Sequence, residues 1–189
     1  MSIPTLTLIG ESINDSVPST HALFEANDLA GITALAKAQA DLGAAYIDVN
    51  VGSHSPAFMA EMVCSVQTVT IKPLSIDSPD FATAKAGLEA YDLSRGTPIL
   101  NSISPLRMEM FDLLAIKPFR PILLVSENLV EGKGAACVTA EETVAAARLL
   151  LETAHRRGLK NDDCIIDPGI APIGTDTENN IHRLMGALR

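Results

Sequence analysis

Apolar runs of strand length alternate with stretches of helical periodicity along this chain. Residues 5–10, 45–51, 73–76, 98–100, 121–125 and 164–166 form short runs rich in Ile, Val and Leu, bounded by Gly, Pro, Asn or Asp, as buried strands are. From Asp28, the residues Leu29, Ile32, Leu35, Ala36 and Leu42 follow helical spacing until Gly43. Phe58, Met59, Met62, Val63 and Val66 mark a second helix with Pro56 in its first turn, and Phe81, Ala84, Leu88 and Tyr91 a third. Pro105 opens a short helix through Leu106, Met110, Phe111 and Leu114. Thr139 and Glu142 fit a capping box before a helix that runs to about Arg157 and stops at Gly158, and residues 177–189 read as a last helix. Two stretches predict no element: a polar loop around Pro18, and a loop at 127–138 in which Gly132-Lys133-Gly134 reads as flexible. Six strand and helix alternations predict an α/β chain, an incomplete TIM-type (β/α) barrel with six of eight units present.

Each strand run stops at an oxygen-bearing side chain. The endings are Glu11 and Asn14, Asp48 and Asn50, Asp77, Asn101, Glu127 and Asn128, and Asp167, at intervals of 24 to 40 residues. In a parallel barrel the carboxyl ends of the strands meet at one face, so these residues converge on one pocket. Taken singly, each could be a helix N-cap, and Asp77 before Ser78-Pro79 is the best candidate for a simple cap. Taken together they exceed what caps require. Carboxylates accept paired N–H bonds and Asn offers one acceptor with two donors, a set suited to a flat heterocycle with an N–H/NH₂ edge beside a carbonyl, such as a pterin or a purine. A hard cation is the competing use of such oxygens, but no compact local cluster of ligands supports a metal.

Charge and cysteine content narrow the classes. A net charge of −9 and a pI near 4.8 disfavour nucleic acid and anionic membrane surfaces as partners. Cys64, Cys137 and Cys164 match neither a disulfide framework nor a zinc spacing, and read as reduced thiols of a cytoplasmic protein. His21, His54, His155 and His182 show no paired spacing for zinc, and Ser65, Ser102 and Ser126 lack the context of a hydrolase nucleophile. There is no signal-peptide pattern and no apolar run of spanning length. At 189 residues the chain is shorter than the roughly 250 of a complete barrel, and six units use all of it. The expectation is a single domain over residues 1–189, truncated after the sixth unit.

The segments IGESIN, GAAYIDVNVG, SIDS, ILNSIS and IIDPG, in this order and spacing, resemble the pterin-binding barrels of methyltetrahydrofolate:corrinoid methyltransferases and the folate module of cobalamin-dependent methionine synthase. Dihydropteroate synthase is similar in fold and in its IDPG-like segment, whereas Gly10-Glu11-Ser12-Ile13-Asn14 looks like the methyltransferase branch. The resemblance implies Asp77, Asn101 and Asp167 as pterin ligands, with Glu11, Asn14 and Asn50 lining the same pocket. It implies methyl transfer between N5 of tetrahydrofolate and the cobalt of a corrinoid (cobalamin-type) group carried by a partner protein. In that family an Asn after a seventh strand contacts N5, and no catalytic residue can be assigned in the sequence at hand. A non-catalytic pterin-binding protein or truncated remnant and a dihydropteroate synthase-like enzyme are the alternatives. A second chain could supply the missing strands, and the resemblance implies a homodimer as a possible assembly.

Overall fold

The computed structural model describes residues 6–170 and 180–188. The predicted starts of the first strand at Thr5 and of the last helix at Thr177 lie outside the described residues. The α/β class and parallel strands of the sequence expectation are present, as an incomplete TIM-type barrel of six parallel strands. The chain divides into two compact units, one from residues 6–101 with 115–119, the other from 102–114 with 120–188.

In the first unit the order is β1 (Ile9–Asn14), α1 (Pro18–Glu25), α2 (Leu29–Asp41), β2 (Tyr46–Asn50), α3 (Pro56–Gln67), β3 (Leu74–Asp77) and α4 (Phe81–Ala90), leading into β4 (Ile99–Ile103). Strands β1 to β4 pair in parallel in sequence order. Successive side chains of a strand face opposite sides. One side of β2 and β3 presents Ile47, Val49, Leu74 and Ile76, all fully buried with Met59, Met62, Val63 and Val66 of α3 and with Ala84 and Leu88 of α4. The other side presents Asp48, Asn50, Ser75 and Asp77. A parallel sheet usually reads as continuous apolar runs because both faces are covered. Polar residues at every second position near the strand ends therefore mark a face kept for something other than packing.

In the second unit a 3₁₀ helix (Met108–Ala115, its last residue belonging to the first unit) precedes β5 (Arg120–Leu124), a β-hairpin of β6 (Glu127–Val130) and β7 (Lys133–Ala136), α5 (Ala140–Arg156), β8 (Ile165–Asp167) and α6 (Asn180–Ala187). Strand β8 pairs in parallel with β5, aligning Asp167 with Leu124. Helix α5 buries Ala146, Leu150 and Ala154 at four-residue spacing, and its capping box is formed by Thr139 and Glu142 as the sequence predicts.

Four expectations are corrected. The polar loop around Pro18 is helix α1, with Pro18 in the first turn, where its missing N–H is no loss, and with Thr20 and Phe24 buried. The flexible loop at 127–138 is the hairpin, closed by Glu131 (φ 51°) and Gly132 (φ 76°), the double positive φ of a tight two-residue turn. Strand β1 reaches Asn14 instead of stopping at Gly10, because a bulge between Gly10 and Ile13 absorbs the polar Glu11-Ser12 pair without ending the ladder. Asp77 does not cap the following helix: Asp80 does, accepting from Thr83 N at 2.8 Å. Among the described residues no helix is long and apolar enough to cross a membrane.

Candidate functional site

The site begins with register. Asn14 of β1 aligns with Asn50 of β2, Asn50 with Asp77 of β3, and Asp77 with Asn101 of β4. Neighbouring strands lie about 4.8 Å apart, so these four side chains form one row across the carboxyl ends of the strands. All four are half-buried. The residues that do cap α2, α3, α4 and α5 are Asp28, Ser55, Asp80 and Thr139, so the row is not explained by helix capping.

Hydrogen bonds fix how the row is presented. Asn50 Nδ2 donates to Asp77 Oδ2 at 2.8 Å, and Asn50 Oδ1 accepts from Gly52 N at 2.8 Å. Asn50 is thus locked with its amide aimed at Asp77. The lock requires Gly52, whose φ of +57° is a glycine conformation and whose missing Cβ leaves room for the Asp15 carboxylate. Asn14 Oδ1 accepts from Ser16 N at 2.9 Å and from Ser16 Oγ at 2.6 Å. Asn101 Nδ2 donates to Asp48 Oδ1 at 3.4 Å.

Asp48 lies one step beneath the row, aligned with Ser75, and both are essentially inaccessible to solvent. Burial, reinforced by the nearby charges of Asp77 and Glu11, pushes the Asp48 carboxyl up to about 8, against opposing pulls from Ser75 and Asn101. Among the described residues, Asp48 Oδ2 and Ser75 Oγ each lack a well-formed hydrogen bond. Glu11 sits in the β1 bulge and is exposed.

Beside the row, Asp15 Oδ1 pairs with His21 Nδ1 at 2.9 Å and lies 3.7 Å from His54 Nε2, while the His54 ring stacks on Phe58 at 4.5 Å. The hydrogen bond to Asp15 raises the His21 imidazole above its usual value. Among the described residues no group of three or more His, Cys, Asp or Glu side chains is arranged to hold a metal ion.

In the second unit Asp167 ends β8, and its Oδ1 accepts from Gly169 N at 2.8 Å. Gly169 has φ +66°, and a Cβ there would stand 2.6 Å from Ser126 Oγ, so the glycine of the Asp167-Pro168-Gly169 turn is dictated by both conformation and space. Arg183 of α6, only 4% exposed, donates to Gly169 O at 2.9 Å and to Thr143 Oγ1 of α5 at 3.0 Å, which ties the turn to both helices. Glu127 at the start of β6 stands 3.4 Å from Arg107 Nη2.

Against known protein families, residues 13–188 match the model of the pterin binding enzymes. This chain belongs to the pterin-binding enzyme family. A curated relative in that family's chemistry, the methylcorrinoid:tetrahydrofolate methyltransferase of Eubacterium limosum, is 29% identical over 184 residues, covering 92% of this chain. The chain spans 64% of that relative's length. Among solved structures, dihydropteroate synthase from Xanthomonas albilineans in complex with 7,8-dihydropteroate aligns with a TM-score of 0.55 and 19% identity, over 98% of this chain and 67% of that one. That likeness carries the barrel fold.

Sequence reasoning singled out Asn14, Asn50, Asp77 and Asn101, and the register brings these four together. Glu11 is adjacent but displaced by the bulge, and Asp167 stands in the other unit. Sequence reasoning named Asp48 as a polar ending without giving it a role. Its signal was present: Asp48 and Asn50 are two apart on one strand, so they must share a face, as must Ser75 and Asp77.

Proposed function

We propose that this chain binds the pterin ring of a tetrahydrofolate, and takes part in methyl transfer between N5 of that ring and the cobalt of a corrinoid carried by a partner protein. The observation that carries the reading is the register row of Asn14, Asn50, Asp77 and Asn101. A pterin offers an N–H and an amino group on one edge with a carbonyl beside them. Asp77, steadied by Asn50, supplies the acceptor for that donor edge, and Asn101, in the next register position, supplies an amide oxygen as a second acceptor. The row holds no basic side chain, which suits a neutral ring better than an anion.

Family membership supports the pterin, and the name of the Eubacterium limosum relative favours methyl transfer over pteroate synthesis. Asp167 joins the proposed ligands through the sequence resemblance of its IIDPG segment. The corrinoid supplies a cobalt that takes or gives the methyl group. Displacement at a methyl on nitrogen leaves charge on N5, so that atom has to be protonated or hydrogen-bonded as the bond breaks. Gripping the far edge of the ring is the part assigned to the strand-end row.

Titration of methyltetrahydrofolate against the whole chain tests the reading. The wild type should bind. Asp77→Ala should weaken binding about 10- to 100-fold, as loss of a charge-assisted hydrogen-bonded edge implies, while the thermal melt stays close to wild type. Absence of binding by the wild type, or wild-type affinity in both Asp77→Ala and Asp167→Ala, would overturn the pocket. Mixing with free reduced cobalamin should give the absorbance change of methyl transfer; binding without that change would retain the pterin and remove the transferase.

A further inference from the structure

The carboxylate buried beneath the strand-end row has no role in the reading above, and its surroundings are unusual for an anion. Asp48 is 1% exposed, and among the described residues it takes part in no ion pair. Among the described residues the charged groups acting on it are acidic, Asp77 on β3 and Glu11 on β1, and β4 contributes the neutral Asn101. Two carboxylates facing one low-dielectric space cannot both ionise cheaply. Asp77 sits higher, half-exposed, with the Asn50 amide donating to it. Asp48 sits lower, sealed, with one oxygen lacking a well-formed bond. The proton therefore belongs on Asp48.

Its other oxygen has a second consequence. An asparagine amide can be turned end for end at little cost unless a neighbour decides its direction. With the proton on Oδ2, the oxygen that lacks a well-formed bond, Asp48 Oδ1 remains an acceptor and takes an N–H of Asn101. That contact points the amino group of Asn101 inward and its carbonyl oxygen toward the space above the row. Asn50 is held in one direction by Asp77 and Gly52 in the same manner.

We propose that Asp48 is a positioning residue that stays a neutral carboxylic acid, setting the direction of the Asn101 amide so that the row meets the donor edge of the ring with acceptors and only one negative charge. This rests on the pterin reading for its biological use, but the proton and the amide direction are properties of the chain alone.

Carbon-detected NMR of the whole chain, labelled in its aspartate carboxyls and asparagine side chains, is the test. One aspartate should titrate near pH 8 and vanish from the spectrum of Asp48→Asn. The Asn101 side-chain amide signals should shift with the same midpoint, and should stop shifting in that variant. Methyltetrahydrofolate binding should survive in Asp48→Asn within about threefold, because an amide reproduces the shape and hydrogen-bonding ends of a protonated carboxyl. Asp48→Ala should lose roughly tenfold or more, as one misdirected hydrogen bond implies. An Asp48 that titrates below pH 5, Asn101 signals indifferent to it, or wild-type affinity in a folded Asp48→Ala would each overturn the proposal. Since the NMR arm needs no ligand, a wild type that binds no pterin would sink the functional reading separately.

Discussion

A sealed carboxyl with a raised pKa leaves a signature in stability as well as in binding. Unfolded, Asp48 ionises near its ordinary value of 3.8; folded, it holds its proton up to about 8. Between those limits the folded chain carries the extra proton, so folding is favoured at low pH and loses ground as pH rises. The expected slope from this residue is about 1.4 kcal/mol per pH unit. The contribution is complete below 3.8 and exhausted above about 8. Denaturant melts from pH 5 to pH 9 should show wild type weakening toward pH 8, with Asp48→Asn flatter and the more stable of the two at the alkaline end. At this scale the sequence was a good guide to residue type and a poor one to environment. The alternation in Tyr46-Ile47-Asp48-Val49-Asn50 holds which side chains share a face, a signal the sequence reading left unused. Burial depends on the strands alongside, and no local pattern reports how deep Asp48 sits.

Among the elements, the clearest test separates capping from recognition at two neighbouring aspartates. Asp80 accepts from Thr83 N and Thr83 Oγ1 and begins α4, and these bonds hold its carboxyl below the usual range. Asp80→Ala should cost about 1 kcal/mol of stability and leave pterin affinity unchanged, whereas Asp77→Ala should do the reverse. Thermal melts run beside binding isotherms of both variants decide it. Gly169→Ala should destabilise by roughly 1 kcal/mol or more, since alanine resists the positive φ and crowds Ser126, and calorimetric unfolding reads that directly. Elements of strong periodicity, such as α2, α3 and α5, were legible within a few residues. Elements held by tertiary contacts were not: α1 has only Thr20 and Phe24 to bury, and the hairpin offers Glu131-Gly132 where a sequence reader looks for Asn-Gly. The capping misassignment has the same origin, because Asp77 and Asp80 both precede α4 and only the bonds tell them apart.

For the whole molecule, the order of elements was visible from the alternation of runs, and family membership agrees with the motifs that resemblance rested on. The division into two units was not visible, because no linker or change of composition marks it. Among the described residues β1 pairs only with β2, and β8 only with β5, so within those residues each has one edge without a strand partner. Light scattering over a range of protein concentrations should therefore show self-association, opposed at low salt by the net charge of −9. A strictly monomeric mass at every concentration would show those edges to be shielded.

Residues 115–119 belong with the first unit although the chain on either side of them belongs with the second. Lys117 in that short stretch donates to the carbonyls of Glu89 and Tyr91, closing off the end of α4. The polypeptide thus threads from one unit to the other at 101, back at 114 and out again at 119. No single scissor cut can release either one intact, and a gene dissected after codon 101 would yield a piece robbed of its own clasp.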